Sequence, residues 1–126
     1  MSKKVNILIV DDEEEFAITL AERLNLRGYN TRVENDGEGA LNAVNTSLPD
    51  VVVLDVKMPG IDGFEVLKRI KSEYPQVPVI LLTGHGATKD GIKGMELGAY
   101  DYLIKPVDIT ELIEKMDSAI KASKRK

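Results

Sequence analysis

Apolar positions along this chain follow two rhythms that take turns. Short continuous runs, Ile7-Leu8-Ile9-Val10, Val51-Val52-Val53-Leu54 and Val79-Ile80-Leu81-Leu82, lack the polar alternation of a half-solvated strand and fit strands buried on both faces. Between them, apolar residues recur one turn apart, as in Phe16, Leu20 and Leu24, or in Leu67 and Ile70, which is the period of a helix. The pattern predicts strands at 5–10, 30–34, 51–54, 77–82 and 100–104 and helices at 13–27, 38–47, 63–74, 88–97 and 109–122. Gly28 ends the first helix. Asp62 with Glu65, and Asp108 with Glu111, read as capping boxes ahead of the third and fifth helices. The fourth helical segment is the weakest, with chiefly Ile92 and Met95 to bury and with Gly91 and Gly94 inside it. Each glycine there costs roughly 0.5 to 1 kcal/mol relative to alanine.

Strict alternation of strand and helix implies a parallel sheet covered on both faces, because parallel strands need long, right-handed crossovers. The three continuous runs are central strands. Asn30-Thr31-Arg32-Val33-Glu34 and Tyr100-Asp101-Tyr102-Leu103-Ile104 mix polar with apolar residues, as edge strands do. That partition fits a doubly wound, flavodoxin-like α/β sheet in the order 2-1-3-4-5, with its ligand crevice beyond the carboxyl ends of strands one and three.

At 126 residues and 43% hydrophobic, the chain suits a single domain with one core. We place that domain at 1–122 and read 123–126, the end of a basic run that starts at Lys121, as a frayed tail or the start of a linker. With no cysteine and one histidine, a disulfide framework and a zinc cluster are excluded. The longest apolar run falls far short of the roughly twenty residues of a membrane span, and Met1-Ser2-Lys3-Lys4-Val5 lacks a signal-peptide core, so a cytoplasmic location is expected. A net charge of −4 has the wrong sign for direct nucleic-acid binding.

Within this frame the segment Val51-Val52-Val53-Leu54-Asp55-Val56-Lys57-Met58-Pro59-Gly60 sets a carboxylate at the end of a buried strand, with Pro59-Gly60 suited to the centre of a type II turn. Asp11 and Asp12 follow the first strand, Thr83 the fourth and Lys105 the fifth. Each has an ordinary explanation when read alone: the run Asp11-Asp12-Glu13-Glu14-Glu15 complements a helix N-terminus, a threonine caps, a lysine is solvated. Together they meet at one crevice. Three carboxylates there repel one another unless a cation or protons intervene, and a hard divalent ion such as magnesium suits an all-oxygen set.

These motifs, DD after the first strand, LDVKMPG, LLTG and the Lys105-Pro106 pair, resemble the receiver domain of two-component response regulators over almost the whole chain. The resemblance implies a signalling switch rather than an enzyme. Asp55 is then the phosphoryl acceptor from a sensor histidine kinase or phosphotransfer protein, and Mg2+ is held by Asp11, Asp12, Asp55 and the Lys57 backbone carbonyl. Lys105 neutralises the phosphoryl charge, and the Lys105-Pro106 peptide is usually cis. Thr83 and Tyr102 match the switch pair, Lys57 and His85 the positions that tune dephosphorylation. A downstream partner or output domain is expected at the fourth helix, fifth strand and last helix. Two other readings compete. A haloacid dehalogenase-type phosphatase needs a second aspartate where this chain has Lys57, and neither Gly37-Glu38-Gly39 nor Gly84-His85-Gly86 completes a nucleotide-binding glycine motif. A non-phosphorylated pseudo-receiver, acting as an interaction module, sits uneasily with an intact Asp11, Asp12, Asp55, Thr83 and Lys105.

Overall fold

The computed structural model describes residues 4–84 and 88–124. Ten elements alternate along it: β1 (Asn6–Val10), α1 (Glu14–Leu26), β2 (Asn30–Glu34), α2 (Gly37–Thr46), β3 (Val51–Asp55), α3 (Gly63–Glu73), β4 (Val79–Thr83), α4 (Thr88–Glu96), β5 (Asp101–Ile104) and α5 (Ile109–Lys124). The strands form one parallel sheet in the order β2-β1-β3-β4-β5, as the apolar runs predict. Alternate side chains feed two cores. Ile7, Ile9, Val51, Val53, Ile80 and Leu82 point to the face covered by α1 and α5. Leu8, Val10, Val52, Leu54, Val79 and Leu81 point to the face that α2, α3 and α4 cover.

Element ends differ from the sequence pattern where local chemistry outweighs hydropathy. Val77 is buried but stands outside β4, since Pro78 follows it and contributes no N–H to the ladder. Tyr100 likewise lies outside β5, although its N–H bonds the Val79 carbonyl at 2.8 Å. Both aspartate caps form, with Asp62 accepting from the Glu65 N–H at 3.0 Å and Asp108 from the Thr110 and Glu111 N–H groups. The glutamate halves of the two expected boxes do not form. Glu65 turns along its own helix to Arg69 at 3.1 Å, and among the described contacts Glu111 returns no bond to its cap. The expected frayed tail is also corrected in part: α5 continues past Ala122 to Lys124, and the Ser123 hydroxyl bonds the Gln76 carbonyl.

The largest departure is in α4. Ile92 and Met95, expected to bury, are 54% and 43% exposed, and the buried residues are Gly91 and Gly94. Hydropathy assigns no burial to a glycine, yet here its missing side chain is what lets the helix approach. A Cβ on Gly91 would stand 2.5 Å from the Tyr102 ring, and one on Gly94 would stand 1.9 Å from Leu81 Cδ1. Gly63 plays a similar part at the start of α3, where a Cβ would meet the Asp55 carbonyl at 2.3 Å. Its N–H bonds the Val56 carbonyl at 2.9 Å. Before it, Gly60 has φ +77°, as the second central residue of a type II turn requires.

Candidate functional site

Asp11 comes one residue after β1, and Asp55 and Thr83 close β3 and β4, so their side chains collect at the carboxyl edge of the three central strands. All three are buried, Asp11 fully. Backbone pairing fixes them there. The Asp11 N–H donates to Glu34 at 3.0 Å, Asp55 pairs with Leu82, and the Lys105 N–H donates to the Thr83 carbonyl at 2.8 Å. Asn35 adds a side-chain bond to the Asp11 carbonyl at 2.8 Å. The peptide between Lys105 and Pro106 is cis.

Carboxylate oxygens of Asp11, Asp12 and the Asp55 side chain all lie within 4.8 Å of one another, with Asp12 exposed at the rim. The Lys105 ammonium already stands among them. It bonds Asp11 Oδ2 at 2.8 Å and Glu13 Oε1 at 2.8 Å, and reaches Asp55 Oδ1 at 3.5 Å. The Phe16 ring lies beneath the same ammonium, 4.5 Å from centroid to nitrogen.

Burial, and then the negative charge of Asp11, push the Asp55 carboxyl up to about 7, against a smaller opposing pull from Lys105. Burial alone would lower the Lys105 ammonium, but its hydrogen bonds to Asp11 and Glu13 prevail and raise it. The same bond from Lys105 holds Glu13 below the ordinary carboxylate value. One lysine therefore does not balance the cluster. An all-oxygen donor set with a carboxyl that resists ionisation suits one more hard cation, and Mg2+ fits that description.

Of the other residues singled out in the sequence, Thr83 faces β5, donating its hydroxyl to the Leu103 carbonyl at 3.5 Å. Tyr102 is half-buried with its ring against Gly91. The Lys57 side chain is exposed, beside a depression of about 520 Å³ that Met58, Asp62, Phe64, Asp90 and Lys93 also line. His85 lies outside the described residues. Sequence reasoning missed Glu13 and Phe16. Glu13 is one of five consecutive acidic residues and carries no mark of its own, and Phe16 has the spacing of a core position.

A family model described as the response regulator receiver domain matches residues 7–117. The chain belongs to the receiver domain family of two-component response regulators, and is thus a regulator's domain and not a classical enzyme. It is 39% identical over 125 residues to a probable transcriptional regulator, ycf27, of Guillardia theta, covering 99% of this chain and 49% of that protein. Response regulator MprA of Mycobacterium bovis is 35% identical over 120 residues, covering 95% and 52%. Among solved structures, the receiver domain of NtrX from Brucella abortus superposes with a TM-score of 0.87 at 35% identity, covering 91% of this chain and 98% of that one. The chain spans about half the length of the curated relatives it matches. Among the described residues no helix is long and apolar enough to cross a membrane.

Proposed function

We propose that the chain is a phosphorylation-dependent switch, working in the cytoplasm, whose acceptor is Asp55. The observation that carries this reading is the state of that carboxyl, buried at a strand end, pushed to about 7 and set between two aspartates and a lysine. In the transfer, the bond from phosphorus to a histidine nitrogen of a sensor kinase or phosphotransfer protein breaks, an Asp55 oxygen to phosphorus bond forms, and the histidine leaves with the electron pair. Such a reaction asks the protein for position and charge neutralisation more than covalent help.

Asp11, Asp12, Asp55 and the Lys57 backbone carbonyl would hold Mg2+. When bound, the ion supplies positive charge to the carboxylates and to the phosphoryl oxygens. Lys105, bonded to Asp11 and 3.5 Å from Asp55, would add the second positive charge. The Thr83 hydroxyl, now on the Leu103 carbonyl, is free to turn to a phosphoryl oxygen, and Tyr102 moves with it. The receiver resemblance gives Lys57 and His85 the part of setting how fast water removes the group.

Output passes through α4, β5 and α5, where Ile92, Met95, Tyr100 and Ile104 expose apolar surface to a partner or output domain. The domain itself makes no nucleic-acid contact at a net charge of −4. Acetyl phosphate tests the reading: with Mg2+ the protein gains the mass of one phosphoryl group, and Asp55→Asn does not. Absence of that gain in the wild type favours the pseudo-receiver reading, in which the same fold acts as an unphosphorylated interaction module.

A further inference from the structure

The three hydrogens of the Lys105 ammonium face three carboxylates, and Asp55 is the farthest of them, at 3.5 Å against 2.8 Å for Asp11 and Glu13. If Asp55 is the phosphoryl acceptor, on which the following inference rests, the ammonium must turn toward oxygens beyond Asp55 and loosen a bond it now makes. The two short bonds are not equally easy to loosen. The Asp11 side chain is 0% exposed, and its other oxygen is engaged by the Glu13 N–H at 2.9 Å. In the metal-free protein, losing Lys105 would leave a buried anionic oxygen without its cation, which is costly. Glu13 is 65% exposed, so water can replace the lysine at its carboxylate for little. The Phe16 ring lies 4.5 Å from the same ammonium and adds a contact that involves neither carboxylate.

The geometry points to Glu13 as a positioning residue for the Asp55 site: in the unphosphorylated protein its carboxylate holds the Lys105 ammonium back from Asp55, and this bond is released when the ammonium engages a phosphoryl group. Glu13 thereby competes with the phosphoryl group for one cation and sets how readily the phosphorylated state forms. It touches no reacting atom. An exposed competitor of this kind is worth about a two- to fivefold change in that equilibrium.

The test uses the full chain with beryllium trifluoride as the phosphoryl mimic, at saturating Mg2+. Glu13→Gln is expected to bind the mimic about two- to fivefold more tightly than wild type, while Glu14→Gln, an equal change of charge one residue on, matches wild type. In metal-free protein, the NMR signal of the Lys105 ammonium, assigned by its loss in Lys105→Ala, should broaden through faster proton exchange in Glu13→Gln and not in Glu14→Gln. Equal or weaker binding by Glu13→Gln overturns the proposal, as does an unchanged Lys105 signal. An equal gain in Glu14→Gln overturns it too, by making the effect one of general charge. Failure of the wild type itself to bind the mimic or to gain mass from acetyl phosphate removes the phosphoacceptor reading and this inference with it, and is told apart by the wild-type arm alone.

Discussion

Helices α5 and α4 flank the same edge strand and are held by opposite means. From α5, Ile109, Leu112, Met116, Ala119 and Ile120 are buried against the sheet. From α4, Gly91 and Gly94 are buried, and its two large apolar residues face outward. Burying side chains such as leucine and isoleucine stabilises by about 1.5 to 3 kcal/mol each, so α5 is anchored by area. Its glycine face gives α4 little area and a close fit, with Tyr102 and Leu81 filling the places where side chains would stand. A helix held by fit alone can be released by moving one ring. The lesson is that a closely fitted helix can still bury little apolar surface, and buried apolar surface is what resists local opening.

The contrast is broken most directly in the cores. Leu112→Ala should cost about 2 to 5 kcal/mol, and Ile92→Ala, the matching truncation on α4, should stay within about 0.5 kcal/mol; both are read from urea unfolding. Equal losses would mean that α4 is anchored as α5 is.

The glycine fit predicts that α4 exchanges faster than α1; charge at the strand ends would predict the same, and Asp55→Asn separates the two. A carboxyl whose folded pKa is raised contributes stability that is complete below its ordinary value of 3.8 and is lost as pH climbs to about 7. In Mg2+-free buffer at pH 8 the asparagine variant should therefore be more stable than wild type by about 1 to 3 kcal/mol. At pH 4 the gain should shrink, and added Mg2+ should stabilise the wild type and narrow the difference. Thermal melts across pH measure this. If hydrogen exchange in 88–97 also slows to the rate of α1 in this variant, charge rather than shape loosens the helix.

Fit itself is probed by adding methyl groups. Alanine favours a helix over glycine by about 0.5 to 1 kcal/mol, but overpacking costs about 1 to 3 kcal/mol. Gly94→Ala, against buried Leu81, should lose about 1 kcal/mol net. Gly91→Ala should lose less, because the Tyr102 ring can swing aside, and the displaced ring should alter the tyrosine fluorescence. A stabilised double variant would show that α4 is limited by propensity, as the sequence alone suggests.

How far the sequence could be read follows from what each residue type signals. Strand order was legible because Ile7 to Val10, Val51 to Leu54 and Val79 to Leu82 are apolar on both faces while β2 and β5 are not. The meeting of Asp11, Asp12, Asp55 and Lys105 followed once the order was known. The seating of α4 was illegible, because a buried glycine contributes shape and no hydropathy. Glu13 was illegible for another reason: its partner is 92 residues away, and nothing local separates it from Glu14 or Glu15.

Gly63 gives the site an asymmetry of a mechanical kind. With the first residue of α3 pressed on the Asp55 carbonyl and bonded to Val56, the acceptor strand and α3 behave as the fixed jaw of a vice. The other jaw is β4 with β5, where the Lys105 N–H to Thr83 carbonyl bond and the Thr83 hydroxyl on Leu103 tie two strand ends into one piece. The Asp55 carboxylate lies between the jaws, and the second jaw bears on α4 through the Tyr102 ring at Gly91.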